Sequence, residues 1–204
     1  MATYTINFDN NSNSSGNFCI FQRDPNSLNH GVFVLAWLVQ FVNAHSKLPI
    51  SWNTDVYFFW AKTGTLAPGV IFNAGEALQT SMTENNAVTL TKEDGNYKFA
   101  GQKNWHQQGM LSVTSDNTTA INQASVGIGM SGAGTFAVQA QPNMTFLFSP
   151  GAEYWVTFGD FQQGQVMDPT EFINSVKIVF PYGIFTMNVT LNMDNTWIIS
   201  QGQD

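Results

Sequence analysis

Residues 31–45 read GVFVLAWLVQFVNAH, and whether this run folds as a buried strand or a buried helix decides the fold class. The two look alike over so short a distance, because an apolar run without a period does not say which of its faces is covered. We read it as a strand containing a helical turn. The sequence on either side is strand text. Upstream, Tyr4, Ile6 and Phe8 alternate with Thr5 and Asn7, the period of two of a half-buried strand. Asp9 to Gly16 follow as a polar turn cluster, and Phe18 to Gln22 read as the hairpin partner of the first strand.

Downstream, Ser51 to Trp60 (SWNTDVYFFW) is aromatic and β-branched. Lys62-Thr63-Gly64-Thr65 supplies a turn before Val70-Ile71-Phe72. Further strands are expected at Ala87–Thr91, Tyr97–Ala100, Met110–Thr114, Thr135–Gln139, Thr145–Phe148, Tyr154–Phe158, Val176–Phe180, Thr186–Leu191 and Thr196–Ile199. Their close, regular spacing, with turns such as Glu93-Asp94-Gly95-Asn96 and Asp116-Asn117, predicts an all-β, antiparallel, jelly-roll-like sandwich over residues 1–204. One short helix is expected near Pro169–Asn174, with Asp168 as N-cap and Pro169 in the first helical position.

Composition sets the class of function. Of 204 residues, 43% are apolar and only 10% are charged, so the polar surface must be built from Asn, Gln, Thr and Ser. The formal charge of −7 offers no basic stripe for phosphate, which argues against nucleic acid. Near the isoelectric point of 4.7 net repulsion between molecules vanishes, so mild acid is expected to favour association. Residues 1–20 hold no basic segment followed by an apolar one, and no apolar run reaches the ~18 residues that span a bilayer. A soluble protein made in the cytosol is expected. Sequons at Asn10, Asn13, Asn117, Asn143 and Asn188 are discounted on the same ground.

Candidate chemistry is sparse. Gly127, Gly129 and Gly132 fit G-x-G-x-x-G, but a dinucleotide site needs a helix after it, and Thr135–Gln139 reads as a strand. The expected role of these glycines is a turn, a bulge or a close backbone contact. His30, His45 and His106 are far apart in sequence, without zincin spacing or a second Cys, so neither a metal nor a cofactor is expected. Glu153, Asp160, Asp168 and Glu171 are candidates to flank a sugar. Trp52, Trp60 and Trp155 lie in strand text and are read as core, whereas Trp105, in QKNWHQQ, is the tryptophan expected to be exposed. Trp105 with His106 is the candidate ligand or surface contact, and a glycan the candidate ligand. Cys19 stands alone, which leaves a buried inert thiol, a reactive thiol or a bridge between two chains.

Several segments are similar to the RhiA family of bacterial rhizosphere-expressed proteins: INFDNNSNSSGNFCIFQRDP, LAW at 35–37, TGTLAPGVIF, SVGIGMSGAGTFAVQAQPN, EYWVTFGDFQQGQV and DNTW. The resemblance spans nearly the whole chain and implies one non-enzymatic domain, with no catalytic residue carried over. The family has a fungal relative that builds dense vacuolar crystals used as statoliths. A protein of that kind implies self-assembly as the function, with a second copy as partner and the vacuole as location. Otherwise a bacterial cytoplasmic protein is implied. The same resemblance adds weight to an intermolecular disulfide at Cys19. The competing expectation is a lectin-like module that binds glycans through exposed aromatics.

Overall fold

The computed structural model describes residues 3–23, 31–150 and 153–203. In chain order the strands begin with β1 (Thr3–Asn10), β2 (Gly16–Gln22), β3 (Phe33–Val34), β4 (Leu38–Val42), β5 (Ser46–Asn53) and β6 (Val56–Ala61). They continue with β7 (Ala74–Thr80), β8 (Ala87–Glu93), β9 (Asn96–Lys103), β10 (Leu111–Ser115), β11 (Ser125–Met130) and β12 (Ala133–Gln139). The last five are β13 (Met144–Phe148), β14 (Tyr154–Gly159), β15 (Val176–Ile178), β16 (Thr186–Leu191) and β17 (Trp197–Gln201). The protein is an all-β sandwich. Its sheets run β17-β16-β1-β5, β13-β10-β8-β9, β3-β12-β11-β6-β7 and β15-β14-β2-β4. Most pairings are antiparallel, but β1 runs parallel to β16 and β8 parallel to β10.

Residues 31–45 supply β3, an irregular crossing at Leu35–Trp37 and β4, with strand and no helical turn. Trp37 is fully buried and donates its indole N–H to the Met130 carbonyl at 2.9 Å, which pins the crossing to the end of β11. The only helical element among the described residues is a 3-10 turn at Pro169–Phe172. Asp168 Oδ1 accepts from the Thr170 N–H at 2.8 Å, and Glu171 Oε2 accepts from the Asp168 N–H at 2.8 Å, so each satisfies a donor that the helix start leaves free. The sequence Asp-x-Thr makes the same local bond at Asp116 with Thr118 and at Asp194 with Thr196.

Two expectations are corrected. Phe18–Gln22 is not the hairpin partner of β1: β1 pairs with β16 and β5, and β2 pairs with β14 and β4. The chain turns from one sheet into another at Asn10, whose buried amide accepts from the Ser12 N–H and Oγ and donates to the carbonyls of Ser14 and Asn43. Satisfying a buried amide at every position makes the corner rigid. Phe8 and Phe18 then stack at 3.9 Å and 11° between the two sheets. The second correction concerns Val70-Ile71-Phe72, which forms no strand; Ile71 makes one isolated bridge to Gln165.

The core explains the apolar runs. One cluster joins buried residues of all four sheets, with Ile6, Phe18, Trp52, Phe58, Leu90, Val126 and Val156 among them. A second, formed by Leu35, Phe59, Ala61, Leu66, Phe72, Ala137 and Val166, lies on the other face of the β12-β11-β6 region. These central strands are covered on both faces and therefore read as continuous apolar text, without alternation.

Candidate functional site

Cys19 sits in β2 opposite Thr157 of β14 and is completely buried. Burial, and secondarily the negative charge of Glu171, push its thiol far above the ordinary range. Since the thiolate is the species that attacks a disulfide or a substrate, Cys19 is inert in the folded protomer. The expectation of an intermolecular bridge is corrected: two Cys19 side chains cannot meet while the fold is intact.

Trp105 is also corrected. It is half-buried, its backbone N–H is held by Asn86 Oδ1 at 2.6 Å, and its indole N–H is turned inward. Its ring lies 4.5 Å from that of exposed His106. The indole contributes to anchoring the loop after β9 instead of presenting an open platform for a sugar. Trp52 and Trp60 are core, as expected, while Trp155 is half-buried under the Arg23 guanidinium at 4.6 Å. The candidate carboxylates are occupied locally: Asp168 and Glu171 cap the 3-10 turn, and Glu153 pairs with Lys177. Asp160 stands exposed at the end of β14.

His30 lies outside the described residues, His45 occupies the turn before β5, and no group of three metal-ligating side chains forms among the described residues. Gly127 and Gly129 lie inside β11, a strand that their glycine-rich text concealed. A Cβ at Gly127 would stand 2.2 Å from the Phe136 carbonyl oxygen, and one at Gly129 1.9 Å from that of Ala133. Ser131 and Gly132, both at positive φ, form the two-residue turn of the β11–β12 hairpin. The motif is a close backbone contact and a turn, with no phosphate loop.

Two other surface features stand out. One is the chemistry of the sheet edges. Several edges carry a charge or a proline, the usual guards against pairing with another chain: Lys47 and Pro49 on β5, Glu76 on β7, Lys98 and Lys103 on β9, Lys177 on β15. Among the described strands four edges carry neither, of which β3 (FV) is only two residues long and so offers little to pair with. β4 (LVQFV), β13 (MTFLF) and β17 (WIISQ) are uncharged and expose Phe41, Met144, Leu147 and Ile198.

The second feature is a cleft of about 480 Å³ lined by Tyr4, Met82, Met130, Tyr154, Ile178 and Phe180. Burial raises the Tyr154 hydroxyl above the ordinary phenol range. Thr54, Glu153 and Lys177 add polar atoms, with Lys177 Nζ donating to Glu153 Oε1 at 2.5 Å. That bond holds the Glu153 carboxyl below its ordinary range. Beside the cleft, the loop 179–185 (VFPYGIF) exposes Val179, Tyr182 and Phe185. The Pro-x-Gly in this loop was a legible turn signal, but sequence reading carried a strand through to Phe180 and passed over Tyr182.

The model of a family described as RhiA matches residues 1–202. The chain is 30% identical over 200 residues to the protein RhiA of Rhizobium leguminosarum bv. viciae, covering 97% of this chain and 86% of that protein. No solved structure matches.

Proposed function

The chain belongs to the RhiA family, and from that premise we propose that it is a non-enzymatic, self-assembling protein whose copies join through uncharged sheet edges into dense crystalline bodies. The observation that carries this reading is the contrast between guarded and unguarded edges. β4, β13 and β17 offer a further strand backbone partners with no lysine, glutamate or proline to oppose it, and their exposed side chains would be covered on pairing. Low charge density supports it, because few ions need to be desolvated when copies pack, and the excess negative charge falls as pH approaches 4.7. In an acidic store such as a vacuole, a body of this kind acts by mass, as a settling weight for gravity sensing, and turns over no substrate. Glycan binding, the competing reading, loses its intended platform with the half-burial of Trp105.

The test is sedimentation from pH 7 to about 5 of wild type and of a Phe41→Lys/Leu147→Lys/Ile198→Lys variant. Wild type is expected to form large particles as the pH falls, while the variant stays small. The three added lysines bring the net charge closer to zero and on that ground alone favour association. A variant that assembles as wild type does would sink the edge mechanism. If wild type remains a monomer throughout, the reading itself fails.

A further inference from the structure

Two features of one face match each other. The cleft is lined mainly by aromatic, aliphatic and thioether side chains, and its two charged groups, Glu153 and Lys177, are already paired. A charged guest would have to break that pair or lie uncompensated against apolar walls. The guest that fits is neutral and apolar, with a hydrogen-bonding tip at most.

The loop that borders the cleft presents such a group. Val179 and Phe180 line the cleft, and two residues further on Tyr182 stands in solvent at 107% relative exposure. The Ile184 N–H donates to the Pro181 carbonyl at 3.0 Å, and Gly183 has φ +79°, so Pro181 to Ile184 form a type II turn with the glycine where positive φ is required. The turn fixes the backbone that carries the phenol, so that seating it orders only the side chain. The loop carries no charge, in keeping with the walls of the cleft.

We propose that Tyr182 of one copy seats in the cleft of a second copy, and that the contact is reciprocal. Knob and cleft adjoin on one face, so a two-fold axis beside Val179 and Phe180 sets each Tyr182 opposite the other copy's cleft, as a self-complementary interface requires. This inference rests on the self-assembly reading. It makes the two-fold pair the unit that the open edges then extend.

The experiment combines a cross-link with sedimentation. Thr54 is exposed at the cleft, and the natural thiol is buried, so Thr54→Cys and Tyr182→Cys variants mixed under mild oxidation report the contact directly. The expected result is a disulfide-linked heterodimer well above the homodimers of either variant alone. In parallel, Tyr182→Ala is expected to raise the concentration needed for assembly roughly tenfold or more, as for a central aromatic anchor, and Tyr182→Phe by much less. Tyr182 touches none of the core, and circular dichroism confirms that each variant folds. Assembly by Tyr182→Ala equal to wild type, with no heterodimer, overturns this contact and leaves the edge mechanism standing. Wild type that never exceeds a monomer overturns both.

Discussion

Cys19 of β2 and Thr157 of β14 face each other across an antiparallel pairing, and both side chains are shut away from solvent. The native thiol is therefore expected to resist a thiol reagent such as Ellman's until the protein is unfolded, and non-reducing gels of native protein are expected to show monomer. Rapid labelling at neutral pH without denaturant would contradict the burial. Cys19→Ser places a hydroxyl among apolar neighbours and is expected to cost about 1–3 kcal/mol in urea denaturation, where Cys19→Ala costs less.

Acid assembly and acid unfolding are expected to occupy separate pH ranges. Asp168 and Asp194 lie below the ordinary aspartate value of 3.8 because Thr170 and Thr196 hydrogen-bond their ionised forms through hydroxyl and backbone N–H. Burial works to raise Asp116, but hydrogen bonds from Thr118 and Thr91 outweigh it and hold it low as well. A folded value depressed below the unfolded one contributes stability that is present above the unfolded value and lost as pH falls through the folded value. The melting temperature is therefore expected to lose the contribution of these three groups only below about pH 4. Assembly at pH 5 then proceeds from folded protein, which circular dichroism of the particles checks.

The glycines of β11 and its turn are expected to differ sharply in tolerance. At Gly129 an added Cβ meets the Ala133 carbonyl oxygen at 1.9 Å, so Gly129→Ala must displace a central strand and is expected to cost more than about 3 kcal/mol. At Gly132 nothing lies within 4 Å, and Gly132→Ala costs only the φ +78° conformation, roughly 1–2 kcal/mol. Equal effects of the two in chemical denaturation would refute this assignment.

Asn86 fixes the loop that carries Trp105. Its buried amide donates to the carbonyls of Gln107 at 3.2 Å and Met110 at 2.9 Å while accepting from the Trp105 N–H. Asn86→Ala is expected to destabilise by about 1–3 kcal/mol for buried groups left unpaired. A red shift in tryptophan emission should accompany it as Trp105 gains solvent. An unchanged spectrum and stability would show that the loop holds itself.

Local chemistry was legible in the chain. Period-two text marked the strands, Asp94-Gly95 marked the β8–β9 turn, and Asp168-Pro169 marked the capped 3-10 turn, because each depends on residues close in sequence. Composition likewise fixed a surface poor in charge. Glycine hid β11, since a strand pressed between carbonyls at 1.9 and 2.2 Å from a would-be Cβ has room for no larger residue, and so lacks the side chains by which strands are recognised.

Partnership was decided only by the tertiary structure. Phe8 and Phe18 lie ten residues apart and read as two arms of a hairpin, yet they stack from different sheets, while the parallel neighbour of Phe8 is Val189. Alternation tells a strand which of its faces turns inward but not which strand lies beside it, because any half-buried strand of suitable length satisfies the same pattern. Edges, the buried position of Cys19 and the closeness of exposed Tyr182 to the cleft lined by Phe180 all follow from that choice of neighbours. It was set by the free energy of closing one core over distant segments, which no local run of residues contains.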